Sequence, residues 1–368
     1  MKRSRRDDVS QDAVQEVVLE EPEVSGEALD KVAEVERPVE KFKIDKEVPQ
    51  AKVKAETRKE MTVQDLPGVG AATAEKLSLA GFDTVMAIAV ATPGEVVQAS
   101  GVSEAVARKI IHAAREGLDM GFQTGLEVLE RRNRMTQISL GASNIDQIMA
   151  GGVHTGAITE FFGAYGSGKT QFGHMLAVQA IKADPECHVI YIDTENTFRP
   201  GRVYQFAEGL GLEPEKVLAN IKVARAFNSD HQMLLVDKTA ELINEGTKVK
   251  LIIVDSLTAH FRAEFVGRGT LAERQQKLNK HMHDLAKLAD MHNLAVYVTN
   301  QVMAKPDMFF GDPTEAIGGN IVGHNSTYRV YLRRGKKGTR VAKLIDAPDL
   351  PDSECVIMVT EKGIENAG

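Results

Sequence analysis

The sequence predicts an α/β protein whose core is a mainly parallel sheet, preceded by a small all-helical domain. Three observations support this. From Thr136 onward, short apolar runs with strand character alternate with helical patterns, which is typical of right-handed βαβ units. A glycine-rich run at 163–170 lies between a predicted strand and a predicted helix. Upstream, two glycine turns each precede a helical pattern.

Composition divides the 368 residues into several parts. Residues 1–60 are rich in acidic side chains and have no aromatic residue before Phe42. Such a segment buries too little apolar surface to offset its ordering entropy, so we expect a disordered acidic tail. A solvated tail and a regulatory tail that mimics the charge of DNA both remain open. We expect the helical domain over 61–117, a linker over 118–135 and the sheet domain over 136–368.

Charge and hydropathy exclude several classes of protein. The longest apolar runs, such as 251–254, are too short to cross a bilayer. The basic N-terminus has no apolar stretch behind it, so it does not read as a secretory signal. Cys187 and Cys355 form no CxxC pair and are expected to be reduced thiols in a cytoplasm. A net charge of −7 argues against a uniformly basic nucleic-acid binder, although local basic loops can still bind phosphates.

The helical domain carries two glycine turns. The run LPGVG at 66–70 and the run SGVS at 100–103 each precede an apolar-periodic helix. Backbone N–H groups around Gly68 and Gly70, with the following helix N-terminus, could contact a DNA phosphate. The alternative is a capping turn in a small packing domain. The second turn lacks the second glycine, which weakens the case for DNA contact there.

Eight segments of the sheet domain are predicted strands. They are 157–162, 188–192, 221–224, 251–255, 295–299, 328–332, 339–344 and 355–360. Helical stretches separate the first five, which predicts parallel pairing. The last three lie close together and are expected to form antiparallel hairpins at one edge.

The run GAYGSGKT at 163–170 fits GxxxxGK[ST] between a strand and a helix, the context that a phosphate-binding loop requires. Its glycines allow backbone N–H groups to surround a phosphate. Lys169 would reach the β- and γ-phosphates, and the Thr170 hydroxyl would coordinate Mg²⁺. The sequence therefore predicts an ATP site. The predicted loop contacts are Gly163, Ala164, Tyr165, Gly166, Ser167, Gly168, Lys169, Thr170 and Gln171.

Two other predicted strands end in carboxylates at the same edge. The apolar run LIIVD ends at Asp255, which could hold a Mg²⁺-bound water. The run YIDTE ends at Glu195, which we expect to orient and deprotonate the water that attacks the γ-phosphate. Asp193 is the rival for that role. One or both carboxylates could instead cap the following helix.

Many ordered motifs resemble the RecA/RadA family of recombinases, and within it archaeal RadA. They are 163–171, 193–200, 224–231, 251–256, 262–275, 299–302, 317–320 with His324, and 343–351. The resemblance covers residues from about 61 to the C-terminus and excludes the tail. It implies a RecA-like ATPase core behind a helix-hairpin-helix domain.

The resemblance assigns further roles at the nucleotide. Arg202 matches an arginine that packs on adenine, and Gln301 a nucleotide sensor connected to the second DNA loop. His324 matches a histidine that senses the γ-phosphate across a subunit interface. Asp346, Pro348 and Pro351 fall in a cap, 346–351, that closes over ATP bound by the neighbouring subunit. The implied cofactors are ATP and Mg²⁺, with a monovalent cation as an additional candidate.

The linker carries FQTG where the family has Phe-x-x-Ala. Phe122 would fill a pocket on the next subunit, which buries enough apolar surface to favour assembly. Gly125 replaces the usual alanine and could loosen the added interfacial strand. An ordinary packing phenylalanine is the alternative.

Two loops are expected to contact DNA. The first supplies guanidinium groups to phosphates from Arg262, Arg268 and Arg274. The second, 302–323, is glycine-rich and carries Gly318, Gly319 and Asn320, with Ala316 where the family usually has proline. The basic cluster Arg333, Arg334, Lys336, Lys337 and Arg340 is interpreted as a solvated hairpin, with an auxiliary duplex-DNA contact as the alternative.

The joint pattern implies an ATP-dependent recombinase that assembles on single-stranded DNA and pairs it with homologous duplex. A mediator paralogue that binds ATP and DNA without strand exchange is the alternative. A hexameric helicase would need a different N-terminal domain. The implied partners are single- and double-stranded DNA, further copies of the chain in a filament or ring, and mediator proteins, but no membrane. The expected location is the cytoplasm, in association with the nucleoid.

Overall fold

The computed structural model describes residues 62–82, 84–118, 124–304 and 314–367. The acidic tail, Phe122 and the middle of the second predicted DNA loop lie outside the described residues. In the described part of the chain, no helix has both the length and the apolar character needed to cross a membrane.

Among the described residues up to 118, the α-helices are α1 (Ala71–Leu79), α2 (Val85–Ala89), α3 (Pro93–Ser100) and α4 (Glu104–Gly117). Side-chain caps fix several of the helix starts. Thr84 Oγ1 accepts from Ala87 N, and Thr92 forms a capping box with Glu95. Leu77, Ile88 and Ile110 are fully buried between the helices. The predicted all-helical unit therefore has its own apolar core.

The sheet domain follows in this order: α5 (Gly125–Asn133), β1 (Gln137–Ile138), α6 (Ser143–Ile148), β2 (Val153–His154), β3 (Ile158–Gly163), α7 (Lys169–Ala183), β4 (His188–Asp193), α8 (Pro200–Gly209), α9 (Pro214–Ala219), β5 (Ile221–Arg225), α10 (Ser229–Asn244), β6 (Val249–Asp255), α11 (Ala259–Glu264), α12 (Leu271–His292), β7 (Ala295–Asn300), β8 (Val302–Ala304), β9 (Thr314–Ala316), α13 (Gly319–Asn325), β10 (Tyr328–Arg334), β11 (Thr339–Asp346), β12 (Ser353–Val359) and β13 (Ile364–Asn366).

In the described part of the chain, nine strands form the main sheet, in the order β13-β12-β11-β10-β3-β7-β6-β4-β5. From β10 to β5 every neighbouring pair is parallel. From β10 to β13 every pair is antiparallel. The predicted fold class, a mainly parallel sheet with antiparallel hairpins at one edge behind a helical domain, is confirmed.

Apolar residues on both faces of the central strands explain why helices cover the sheet on both sides. In β6, Leu251 and Ile253 pack on the side of α7 and α8, whereas Ile252 and Val254 pack on the side of α10 and α12. Every residue of β3 and β7 is buried. Strands buried on both faces are typical of parallel sheets, and their carboxyl ends are left to form a site.

Two histidines are buried in the sheet domain. The ring Nε2 of His281 lies 3.1 Å from Gln232 Nε2, and its ring centroid is 5.8 Å from that of Phe261. His174 lies against Tyr191 and Phe198, with ring centroids 5.7 and 5.4 Å apart. Burial is the main cause that lowers the pKa of each histidine from 6.5 to about 4.

We expect acid to destabilise the fold through these histidines. In the unfolded chain a histidine with a pKa near 6.5 takes up a proton that the folded chain does not bind until about pH 4, so the free energy of unfolding falls as pH drops through this window. Each histidine accounts for about 3 kcal/mol by pH 4. Urea unfolding at pH 7 and pH 4.5 measures the loss. In His281→Leu the loss should be smaller, and because Gln232 Nε2 also donates to Leu257 O, its amide stays bonded. An equal loss in parent and variant would contradict this.

Candidate nucleotide and DNA site

A cavity of about 570 Å³ lies at the carboxyl edge of the sheet, where β3, β4, β6 and β7 end. Helix α7 begins beside it, so its unpaired first-turn N–H groups and positive dipole end face the cavity. The predicted site residues that line it are Gly163, Ala164, Tyr165, Gly166, Gly168, Lys169, Thr170, Gln171, Glu195, Asp255 and Gln301. Ser167 is buried within the same loop.

The loop at 163–170 passes very close to the neighbouring strand. Gly163 pairs with Leu332 of β10, and a Cβ on Gly163 would come within 2.1 Å of the Leu332 carbonyl oxygen. Gly166 and Gly168 have φ values of +73° and +110°, which favour glycine. The loop therefore forms a cradle whose shape depends on glycine, which has no side chain, at these three positions.

Lys169 lies inside this cradle. Its Nζ donates to the carbonyl oxygens of Gly163 and Ala164 over 2.8 and 3.0 Å. Burial lowers the pKa of Lys169, and the nearby carboxylates of Asp255 and Glu195 partly offset that effect. The ammonium group thus lies where phosphate oxygens could replace the loop carbonyls as its partners.

We expect Gly163→Ala to destabilise the protein. The added methyl group cannot fit beside the Leu332 carbonyl, so the loop or β10 must shift, at a cost of about 1–3 kcal/mol. Gly201→Ala is the control, because it lies in α8 with nothing within 4 Å of its Cβ; we expect a gain of about 0.5–1 kcal/mol there. Thermal unfolding of both variants tests this. A Gly163→Ala variant as stable as the parent would contradict the close approach.

Three hydroxyl groups hold the carboxylate of Asp255. Tyr191 Oη donates to Oδ2 over 2.9 Å, Thr197 Oγ1 donates to the same oxygen over 3.3 Å, and Thr299 Oγ1 donates to Oδ1. Burial raises the pKa of Tyr191 well above its usual value, so the phenol stays protonated and able to donate. Asp255 is therefore fixed at the end of β6 and faces the cavity that also contains Thr170.

Asp193 and Glu195 have different surroundings, although only one residue separates them. The carboxylate of Asp193 is buried and accepts from the backbone N–H groups of Glu195, Thr197 and Phe198. Glu195 lines the cavity, and its Oε1 accepts from Ser256 Oγ over 2.6 Å. Asp193 thus stabilises the turn after β4, whereas Glu195 is the carboxylate that faces the cavity.

Gln301 connects the cavity to both predicted DNA loops. Its Nε2 donates to Glu195 Oε1 over 2.8 Å, and its Oε1 accepts from Arg262 Nη1 over 3.1 Å. Its backbone oxygen accepts from Ile317 N, within the second loop, over 3.0 Å. The resemblance to the RecA/RadA family implied only the connection to the second loop; the contact with Arg262 was missed because it joins residues 39 positions apart.

The other predicted nucleotide residues lie outside this cavity. Arg202 Nε donates to Gln171 Oε1 over 2.7 Å, and its guanidinium lies 4.1 Å from the ring centroid of Phe206. His324 is exposed at the end of α13. Asp346, Pro348 and Pro351 are exposed around the end of β11 and in the loop after it. Within one chain the structure does not bring His324 or this cap to the phosphate loop.

The predicted DNA contacts lie on several elements. Arg262 is on α11, Arg268 begins a 3₁₀ turn (Arg268–Thr270), and Arg274 is on α12. Gly318 and Gly319 have φ values of +98° and +56° where α13 begins, and Asn320 is exposed beside them. Antiparallel pairing of β8 with β9 joins the described ends of the second loop. Gly68, at φ +89°, turns the chain before α1, and Gly70 is the N-cap of that helix.

The linker begins a helix at Gly125. Thr124 and Glu127 form a capping box, with Thr124 N donating to Glu127 Oε2 over 2.7 Å. Gly125 is therefore the first residue of α5 in this single chain. The predicted interfacial strand involves a second copy, so this helix start does not test it.

Sequence reasoning missed three arginines at the site, one of which, Arg199, lines the cavity. Arg340 also lines the cavity, and its buried Nε has no hydrogen-bond partner among the described residues. Arg334 Nε donates to Gly166 O over 3.3 Å. The interpretation of this cluster as a solvated hairpin is therefore wrong for Arg340 and incomplete for Arg334. Their placement results from the parallel pairing of β10 with β3, for which the hairpin sequence gives no signal.

Two family models match the chain. A model described as Rad51 matches residues 131–367, and one described as a SAM-like helix-hairpin-helix tandem matches residues 60–116. The Rad51 model covers well over half of the chain, including every residue that lines the cavity. The chain therefore belongs to the Rad51 family.

Proposed function

We propose that this protein is an ATP-dependent DNA strand-exchange recombinase of the archaeal RadA type, acting on DNA in the cytoplasm. The observation that carries the proposal is the cavity of a Rad51-family chain in which the phosphate loop, Glu195 and Gln301 meet beside Arg262. An ATP site connected to DNA-loop residues is what a DNA-dependent ATPase requires. We propose the division 1–60, 61–117, 118–135 and 136–368 as tail, DNA-binding domain, linker and ATPase core.

The residues of the cradle fit a nucleotide triphosphate. Backbone N–H groups of the loop and of the first turn of α7 would hold the phosphates, because glycine keeps the space beside β10 open. Lys169 would exchange its loop carbonyl partners for phosphate oxygens. Mg²⁺, held by Thr170 and through water by Asp255, would neutralise charge on the phosphates. The buried Nε of Arg340 would gain a partner from the same ligand.

Glu195 would act as the base in hydrolysis. Its Oε1 already accepts from Ser256 and Gln301, which fixes the carboxylate at the cavity wall. The second oxygen, to which no described residue is shown to donate, can take the proton of an attacking water. Gln301 would orient that water or the terminal phosphate.

The predicted nucleotide residues divide into two sets, which supports an ATP site shared between subunits. One set lines the cavity of its own chain. The other set, His324, Asp346, Pro348 and Pro351, is exposed outside it. We propose that this second set covers the cavity of a neighbouring copy, together with a monovalent cation, so that ATP binding favours assembly. Arg202, beside Gln171, would contact the adenine from the chain that holds the phosphates.

DNA would be bound on the side of the two loops. The guanidinium groups of Arg262, Arg268 and Arg274 would pair with phosphates of single-stranded DNA. The small residues of the second loop would let its backbone lie close to the same strand; they are Gly318, Gly319 and Asn320. The turn at Gly68 and Gly70 would contact a duplex phosphate through backbone N–H groups. Neither contact would recognise particular bases. The protein could therefore bind DNA of any sequence, as homologous pairing requires.

We propose that Phe122 joins neighbouring subunits and that Gly125 weakens this contact relative to alanine. The edge strand β5 supports the idea, because among the residues that the structure describes it pairs only with β4, and Val223 within it is 44% exposed. An added strand from the linker of another copy would complete its hydrogen bonds.

Electron microscopy of the full chain with ATP, Mg²⁺ and single-stranded DNA tests the proposal. We expect filaments or rings with ATP and their loss in Phe122→Ala, because one buried phenylalanine contributes about 1.5–3 kcal/mol per interface. Leu79→Ala is the control, since Leu79 is 83% exposed in the helical domain, and it should assemble like the parent. A parent protein that forms no assemblies on DNA would overturn the proposal, and an unchanged Phe122→Ala variant would remove that residue from the interface.

A further inference from the structure

Hydrogen bonds at both ends fix the side chain of Gln301. The amide nitrogen donates to Glu195 Oε1 over 2.8 Å, and the amide oxygen accepts from Arg262 Nη1 over 3.1 Å. Ser256 Oγ donates to the same oxygen of Glu195 over 2.6 Å. A continuous path of hydrogen bonds therefore runs from the cavity carboxylate to a guanidinium on the first loop.

The helix that carries Arg262 is anchored to the domain. Glu264, at the end of α11, accepts from Ser229 N over 2.7 Å and from its hydroxyl. His260, on the same helix, has its Nε2 3.0 Å from the carbonyl oxygen of Ala226. The Arg262 side chain, in contrast, is exposed. A ligand that pulled on Arg262 would therefore move its side chain more easily than the helix.

We propose that Arg262 is a positioning residue through which DNA controls ATP hydrolysis. Without DNA it holds Gln301 on Glu195, and a DNA phosphate that binds the guanidinium releases Gln301. The inference rests on the proposed function, and it places the coupling in the side chain of the first loop. The resemblance of the sequence to recombinases implied a connection through the second loop only.

The direction of the switch follows from the strength of the two bonds. A guanidinium pairs with a phosphate through two parallel, charge-assisted hydrogen bonds, whereas the amide oxygen of Gln301 offers it one bond to a neutral acceptor. A DNA phosphate therefore displaces the amide oxygen of Gln301 from the Arg262 guanidinium. Gln301 then loses one of its two restraints and can turn from Glu195 toward the nucleotide, which leaves the carboxylate free to reach the attacking water.

Steady-state ATP hydrolysis, measured without DNA and at saturating single-stranded DNA, tests the inference. The readout is the ratio of the two rates. In Arg262→Ala we expect the DNA-free rate to rise and the ratio to fall about three- to tenfold, the size of one ordinary hydrogen bond at an exposed position. Damage to the fold would lower the DNA-free rate instead. Arg262→Lys, which keeps a positive charge for DNA but lacks the planar fork, should also show a reduced ratio.

Two further variants make the test specific. Gln301→Ala in the Arg262→Ala background should change the ratio no further, because both changes break the same path. Lys182→Ala, which removes an exposed lysine from the last turn of α7, should keep the parental ratio, since Lys182 is not among the described partners of Gln301.

The outcomes separate the inference from the proposed function. A parental ratio in Arg262→Ala at saturating DNA, or independent effects of Arg262 and Gln301, would overturn the inference while leaving a DNA-stimulated ATPase in place. A parent protein that hydrolyses ATP equally fast with and without DNA would overturn the proposed function and the inference with it.

Discussion

Lys169→Ala should lose ATP turnover by at least about a hundredfold, because a positive charge directed at a transferring phosphoryl group typically contributes that much. Lys169 is the residue whose ammonium group lies inside the glycine cradle, bonded to the carbonyl oxygens of Gly163 and Ala164. Its partial burial means that the charge acts across a medium less polar than water, which strengthens its attraction for phosphate.

Steady-state hydrolysis with saturating DNA measures the loss, with binding of a fluorescent ATP analogue as the second readout. Lys182→Ala is the matched control, since it removes an exposed lysine from the last turn of the same helix. We expect turnover close to that of the parent in this control. Retained turnover in Lys169→Ala would contradict the assignment of the phosphate loop.

Glu195→Gln should bind ATP but hydrolyse it about a hundred to ten thousand times more slowly, which is the usual contribution of a general base. The amide is nearly the same shape as the carboxylate, and its oxygen can still accept from Ser256 and Gln301. It cannot take a proton from water. The variant therefore removes the base while it preserves the geometry of the cavity wall.

Single-turnover hydrolysis and analogue binding, measured side by side, separate the two effects. Glu245→Gln is the control, because Glu245 is exposed at the end of α10 and does not line the cavity. Asp193→Asn should differ from both. Its amide oxygen can still accept from the N–H groups of Glu195 and Thr197. The amide nitrogen that replaces the other oxygen cannot accept from Phe198 N, so we expect lower stability. Hydrolysis by Glu195→Gln at the parental rate would show that another group activates the water.

Sequence patterns predicted the main sheet well because its strands are strongly apolar and separated by helices. The run 251–255 is one case: the structure extends it by only two residues, to Val249–Asp255. Strand β13 and the pairs β1–β2 and β8–β9 escaped prediction because two or three residues carry no detectable periodicity. Their pairing depends on tertiary contacts that no local pattern records.

The candidate site was predictable to the extent that the carboxyl ends of parallel strands meet at one edge. From the sequence alone, that rule predicted that Gly163, Asp255 and Glu195 lie at the same site. It could not decide between Asp193 and Glu195, because the choice depends on which side chain the turn after β4 uses for its own N–H groups. Nor could it place Arg340, whose approach to the phosphate loop follows from the strand order β10-β3.

The most direct test of the account is a strand-exchange assay with the full chain, ATP, Mg²⁺, single-stranded DNA and homologous duplex. We expect joint molecules and displaced strand with homologous DNA, little product with heterologous DNA, and none in Lys169→Ala. If the protein binds ATP and single-stranded DNA yet forms no joint molecules, it is not a recombinase, and the central claim is wrong.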